Sequence, residues 1–399
     1  MTDRRCVVTG LDVAAATGLG LSQYWQRTVS GASGIEVIPE YDSRYSAALA
    51  GRISVFNPAD FLSGRLIKQT DRVTQLALVS AERALADAQV DLASHDPFEC
   101  SVITSNATGG FEFSHREMQR LWTEGRESVS VYQCFAWFYA VNTGQISIRH
   151  GMKGPSAVLV AEQAGGLDAV GHALRTIEAG ECSLAVTGGM ESSFDPWGWV
   201  SHLASGSIAA TRAADQGYCP FAPGNDTYVP GEGGAMLVVE SNPDTGRKKY
   251  GTISGYASGF NPRDDHSYTR PLARTIMAAL EDARVTPDDV DVVFADAGGV
   301  RSADEAEAEV LGELFGPRSI PVTAPKSGTG RIMAGAGPLD IATALLALGH
   351  NIIPPTPNVT VTDLPIDLVV GQPRTGPLET ALVIARGHGG FISAVVVQK

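Results

Sequence analysis

The chain is 399 residues long, 44% hydrophobic and 7% aromatic, with a formal net charge of -14 and a pI near 5.0. That length and apolar content can bury a large core, in two domains or one duplicated one, and the acidic balance, without any long basic run, excludes general attraction to nucleic acid or to an anionic membrane. The five cysteines, Cys6, Cys100, Cys134, Cys182 and Cys219, are odd in number, widely spread and lack zinc-ligand spacing, which suits a reduced cytoplasm and no metal site. No apolar run has the length of a signal-peptide core or a membrane span, so neither export nor insertion is expected.

Cys6 to Thr9 reads as a strand ending at Gly10, and Gly18 to Val29 as a helix with Ser22 as its cap. The Gly-, Ser- and Pro-rich stretch from Ser30 to Asp60 reads as a surface connection. Asp71 to Val90 is an amphipathic helix through Val73, Leu76, Ala77, Ala84 and Leu85, leading to a strand at Ser101 to Thr104 and the Gly109-Gly110 turn. Phe111 to Gly125 is a helix rich in large side chains: Phe111, Phe113, Met118, Leu121 and Trp122. Tyr132, Phe135, Trp137, Phe138 and Tyr139 follow in one short stretch, readable either as core or subunit-interface packing, or as the wall of an apolar tunnel.

The centre of the chain is SAVLVAEQAGGLDAVGHALRTIEAG, Ser156 to Gly180. Ser156 to Ala161 is short and β-branched enough for a fully buried strand, and Leu167, Val170, Leu174 and Ile177 recur at helical spacing until Gly180. Between them, a sharp turn presents Gln163 where free backbone N–H groups and a helix N-terminus would activate a nucleophile. An amide cannot become one. A strand at Ser183 to Thr187, a loop-rich span to Gly234 and a strand at Ala235 to Glu240 lead to the polar linker Ser241 to Lys249.

The second half repeats the first in outline. Asp291 to Ala295 with Gly298-Gly299 echoes Ser101 to Gly110; ALVIARGHGG, from Ala381, echoes SLAVTGGMES, from Ser183; and helix Leu272 to Ala283 echoes Asp71 to Val90. Alternating strands and helices in two related halves, 1–240 and 250–399, define an internally duplicated α/β fold of βαβαβ units, with the gate-like region 111–145 inserted in the first.

Generic catalytic motifs are few. GTGRIMAGAG has the glycine spacing of a dinucleotide loop but neither its strand–loop–helix setting nor an acidic ribose partner, and there is no Walker loop, GxSxG elbow or HExxH; no cofactor is implied. The eight histidines are scattered singly.

VLVAEQAGGLDAV, PFAPGNDTYVPGEGGAMLVVE, VFADAGGVRSADEAEAE, PVTAPKSGTGRIMAGAG, IIPPTPN and ARGHGG fall in the order of the β-ketoacyl synthase motifs of the thiolase superfamily. The resemblance spans essentially the whole chain and implies a thiolase-like fold with layered α-β-α-β-α architecture. It places Gln163 at the acyl-accepting Cys and Asp296 at the first catalytic His, with Asp304 and Glu307 at the acidic positions that follow. Arg331 stands at the second His, Lys326 is retained, and His388 takes the usual Phe of the glycine-rich segment. Condensation needs a thiolate to hold the acyl chain and imidazole donors for the oxyanion, and Gln163 and Asp296 supply neither.

Loss of all three, with Gln at the Cys position, resembles the chain length factor, the ketosynthase-like β subunit of bacterial type II polyketide synthases. The resemblance implies a heterodimer with a Cys-bearing ketosynthase α subunit, a chain-length-limiting tunnel at their interface, and an acyl carrier protein docked mainly on the α subunit. It implies Phe111, Phe113, Met118 and Trp137 at the tunnel or gate and Tyr132, Phe135, Phe138 and Tyr139 at the interface. For Gln163 two roles stand: satisfying N–H groups at a buried helix start, or polarising a malonyl thioester for decarboxylation to an acetyl starter. A third arrangement, a homodimer using Cys134 as nucleophile, lacks an accompanying histidine.

Overall fold

The computed structural model describes residues 6–241, 243, 246–261 and 269–399. Strands β1 (Cys6–Ala15), β2 (Cys100–Ser105), β3 (Ala157–Leu159), β4 (Leu184–Glu191) and β5 (Gly233–Ser241) build the first half. The second uses β6 (Gly251–Phe260), β7 (Val292–Phe294), β8 (Pro321–Thr323), β9 (Thr380–Arg386) and β10 (Phe391–Gln398). The order runs β8-β7-β9-β10-β6-β1-β5-β4-β2-β3, so β1-β5-β4-β2-β3 and β6-β10-β9-β7-β8 are the same sheet twice. In each, the first two pairings are antiparallel and the last two parallel. Antiparallel pairing of Cys6–Val8 with Gly251–Ile253 joins the halves.

The longer helices are α1 (Leu21–Val29), α2 (Arg72–Ala88), α3 (Phe111–Glu124), α4 (Val141–His150), α5 (Gly165–Glu178), α6 (Pro196–Ala204), α7 (Thr269–Ala283), α8 (Arg301–Phe315) and α9 (Ala336–His350). Helices α5 and α9 form the middle layer: α9 is buried from Ala336 through Leu348, and both pack on strands of the two halves. Such all-round apolarity is what a helix between two sheets requires. Gly166 lets the two helix starts meet, since a Cβ there would lie 2.2 Å from the Ala334 carbonyl oxygen. Outer helices α2 and α7 cover the far faces, against β1 and β6 respectively, completing the α-β-α-β-α layering.

Several boundaries differ from the sequence expectation for identifiable reasons. β1 does not end at Gly10: its register shifts there, and the missing Cβ, which would stand 2.2 Å from the Ala84 carbonyl, admits α2. Ser22 does not cap α1, whose N-cap is Gly20. β4 runs on through Gly188-Gly189 to Glu191 because it lies against β5 along its whole length. β3 is shorter than Ser156 to Ala161 and only half-buried, because it is the sheet's edge. The linker from Ser241 is described only in part, since Asn242, Asp244 and Thr245 lie outside the described residues, as does His266.

Candidate functional site

After β3 the chain turns through a short 3-10 segment, Glu162–Ala164, straight into α5. Gln163 is fully buried at that turn. Its side chain does not cap the helix start: Nε2 donates to Asp296 Oδ1 across 3.5 Å, and Oε1 has no hydrogen-bond partner among the described residues. The expectation of a cap is thereby corrected. The amide is drawn toward a carboxylate, and the small residues Ala164, Gly165 and Gly166 carry the turn themselves.

Asp296 is the hub of the site. It follows β7, is 1% exposed, and its Oδ1 accepts the Arg386 backbone N–H at 2.9 Å. Arg331 Nη2 stands 3.4 Å from both its oxygens, and Arg386 Nε stands 3.3 Å from Oδ2. Burial opposes ionisation of Asp296, but Arg331, Arg386 and Lys326 outweigh it and hold its pKa below the ordinary carboxylate value. Arg386 also donates to Glu307 at 2.8 Å, and Glu307 accepts the backbone N–H groups of Asp296 and Ala297 at 2.8 and 3.0 Å. Asp304 accepts those of Phe221 and Gly299. The two acidic residues therefore anchor the loop after β7 through its backbone.

Lys326, buried in the turn after β8, stands 2.5 Å from Asp340 of α9. Burial raises the Asp340 carboxyl to about 6, against the pull of Lys326. Arg386 and Asp340 escaped the sequence reading, although each had a signal: an arginine closing the apolar strand TALVIAR, and one carboxylate inside the apolar helix GPLDIATALLAL. A charged residue in such a run needs a buried partner.

A cavity of about 570 Å³ opens above the hub, lined among others by Glu162, His202, Ser205, Tyr228, Arg331 and His388. Gln163 is fully buried and not among its lining residues, although its neighbour Glu162 and its partner Asp296 are. Burial lowers His202 to about 4, so the ring is neutral, and it bonds Ser193 at 2.8 Å and Tyr228 at 3.2 Å. Exposed His388 donates its backbone N–H to Glu162 at 2.9 Å. Glu162, Ala297 and Met333 hold left-handed backbone, with φ of 49°, 53° and 44°, a conformation non-glycine residues adopt at a cost and mostly at functional sites. Among the described residues no group of three His, Cys, Asp or Glu is placed to hold a metal.

The aromatic residues separate. On α3, Phe111 and His115 share a face and meet Trp197 of α6, with ring centroids 6.4 and 5.5 Å apart; Met118, one turn on, is half-buried. Phe113 points the other way and is fully buried, with Arg116 over its ring at 4.9 Å. Trp197 escaped the sequence reading because nothing local ties it to α3. Trp137 is 46% and Phe138 48% exposed, Tyr132, Phe135 and Tyr139 are half-buried, and Val131 and Trp122 are exposed at 79% and 84%. Cys134 is also exposed in this segment.

Two duplicated halves around paired central helices, with a polar side chain at the elbow below a cavity, define a condensing-enzyme scaffold of the thiolase type. The β-ketoacyl synthase N-terminal domain model matches residues 3–245 and the C-terminal domain model residues 250–360. The chain is 51% identical to the actinorhodin polyketide putative β-ketoacyl synthase 2 of Streptomyces coelicolor, over 98% of both chains. It is also 51% identical to the tetracenomycin polyketide synthase ketoacyl synthase β subunit of Streptomyces glaucescens, again over 98% of both. A solved complex of a type II polyketide synthase acyl-carrier protein with its ketosynthase bound to the hexaketide contains a chain of the same fold, with TM-score 0.90 and 25% identity over 99% of each. The chain belongs to the β-ketoacyl synthase family, among the chain length factors, the β subunits of type II polyketide synthases.

Proposed function

We propose that this chain is the non-condensing β subunit of a type II polyketide synthase, pairing with a Cys-bearing ketosynthase α subunit in the cytoplasm and limiting polyketide length through a tunnel at their interface. One observation carries the reading: the three positions that condense in an active synthase hold Gln163, Asp296 and Arg331, bonded to one another. A nucleophile is absent there, and the carboxylate opposes an oxyanion. The exposed Trp122, Val131, Trp137 and Phe138, the last two with ring centroids 5.7 Å apart, support a protein partner, because large apolar side chains left in the open mark interaction sites. The boundaries 1–240 and 250–399, with 111–145 as the partner-facing insertion, follow the same reading, and the acyl carrier protein docks mainly on the α subunit.

The decarboxylase alternative gains no support from the geometry, because the buried Gln163 amide does not line the cavity and its N–H faces Asp296. Gln163→Ala in the reconstituted synthase separates the two: preserved polyketide output is expected, and loss of acetyl-primed product would favour decarboxylation. For the tunnel, Phe111→Ala and Met118→Ala are expected to change product length, read by mass spectrometry; unchanged lengths would contradict the assignment.

A further inference from the structure

Helix α3 begins without a cap of its own. Its N-cap residue is Gly110, and no local side chain accepts from the first turn. The acceptor comes from another element: Asp71, 2% exposed, takes the Phe113 N–H on Oδ2 at 2.7 Å and the Val73 N–H of α2 on Oδ1 at 3.0 Å. One carboxyl group thus joins the N-terminal ends of two helices, and these two N–H bonds pull against the burial that raises its pKa. On the opposite side, Gly110 donates its N–H to the Trp137 carbonyl at 3.1 Å, and a Cβ at Gly110 would stand 2.0 Å from the Ala136 carbonyl, which fixes how closely the two segments pack.

The neighbouring helix is set in a similar way. Asp195 caps α6 by accepting from Trp197 at 2.9 Å and Gly198 at 3.2 Å. Trp197 is the residue whose ring meets Phe111 and His115 of α3. Asp195 thus holds the start of α6 as Asp71 holds that of α3.

We infer that Asp71 is a positioning residue for chain length: by holding the first turn of α3 against α2 it places Phe111 against Trp197 at the end of the tunnel. The inference rests on the proposal above that α3 carries the gate. Removing the carboxylate leaves the Phe113 N–H buried and unpaired, which frees the helix start to move toward another acceptor and carries Phe111 with it.

The test uses the complex of this chain with its Cys-bearing ketosynthase, supplied with carrier protein and malonyl thioester, and reads the ratio of off-length to native-length polyketide by mass spectrometry. Asp71→Asn keeps the shape and one acceptor oxygen; Asp71→Glu keeps the charge and displaces the helix start. Both are expected to raise that ratio about fivefold or more, with complex recovered in normal yield, whereas Asp91→Ala, which removes a surface cap on the Leu92–Ser94 turn, leaves the ratio unchanged. A purely structural role would lower yield without moving the ratio. Native-length product from both Asp71 variants, in a system where Phe111→Ala does shift length, would overturn the inference and leave the gate intact. Failure of Phe111→Ala as well would overturn the gate and this inference together, and failure of both Asp71 variants to assemble would make Asp71 a folding residue and overturn the positioning role.

Discussion

The buried polar cluster of Gln163, Asp296 and Arg331 and the aromatic segment from Phe111 to Tyr139 are treated in opposite ways by the fold. At the first, Gln163 and Asp296 are withdrawn from solvent and every charge of the hub faces an opposite one. At the second, Trp122, Val131, Trp137 and Phe138 stand in the open. Polar groups sealed inside and apolar groups left outside invert the usual economy of a monomer. The inversion makes sense if the old reactive centre is now scaffold and the surface is where the chain does its work.

The sharpest way to break the comparison is to remove the hub. Asp296→Ala leaves Arg331 and Arg386 facing each other without their shared carboxylate, and stability is expected to fall by about 3–5 kcal/mol in denaturant titration; a loss below about 1 kcal/mol would show that the buried charges do not form one network. Next in size, Trp137→Asp with Phe138→Asp is expected to cost about 3 kcal/mol of binding to the ketosynthase, roughly a hundredfold in Kd, while leaving the fold intact. Unchanged affinity would place the interface elsewhere.

Acidity gives a third, smaller effect. Burial raises Asp12, Asp71, Glu191 and Asp304 to about 7 and Asp340 to about 6. A carboxyl whose folded pKa is raised stabilises the fold while protonated, fully below its unfolded pKa, and that contribution is lost as pH rises through the folded value. Thermal stability of the complex should therefore decline between about pH 4 and pH 7, by about 1.4 kcal/mol for each tenfold difference in proton affinity between the folded and unfolded chain. Asp296, held low, acts in the opposite direction and loses its contribution only on acidification. Glu191→Gln should flatten the decline; a Tm that rises steadily from pH 4 to 7 would contradict the account. The smallest effect belongs to Gln163→Met, expected within about 1 kcal/mol of wild type: Met fills the same space, the lost Oε1 has no partner among the described residues, and the lost Nε2 makes only a long 3.5 Å bond to Asp296, which keeps Arg331 and Arg386.

Much of this was legible in the residues. The duplicated α/β pattern, the elbow before α5 and the triplet Gln163, Asp296 and Arg331 stand in the sequence as periodicity, punctuation and motif order. What escaped it depends on contacts between distant segments. Arg386 joins the hub because β9 lies beside β7, and Trp197 joins α3 because α6 packs there. Phe113 and Phe111 were indistinguishable as bulky aromatics, yet two residues on a helix point to different faces, and the fold buries one and not the other. Gly10 and Gly188 read as strand ends, whereas neighbouring strands and helices carried the chain through both.

At the centre of the proposed function is a chain that works as one half of a pair. The most direct measurement is the solution mass of this chain expressed alone and then together with a Cys-bearing ketosynthase from the same gene neighbourhood. A one-to-one complex, with the chain unstable or unassembled by itself, is the predicted result; a stable homodimer indifferent to that ketosynthase would contradict it.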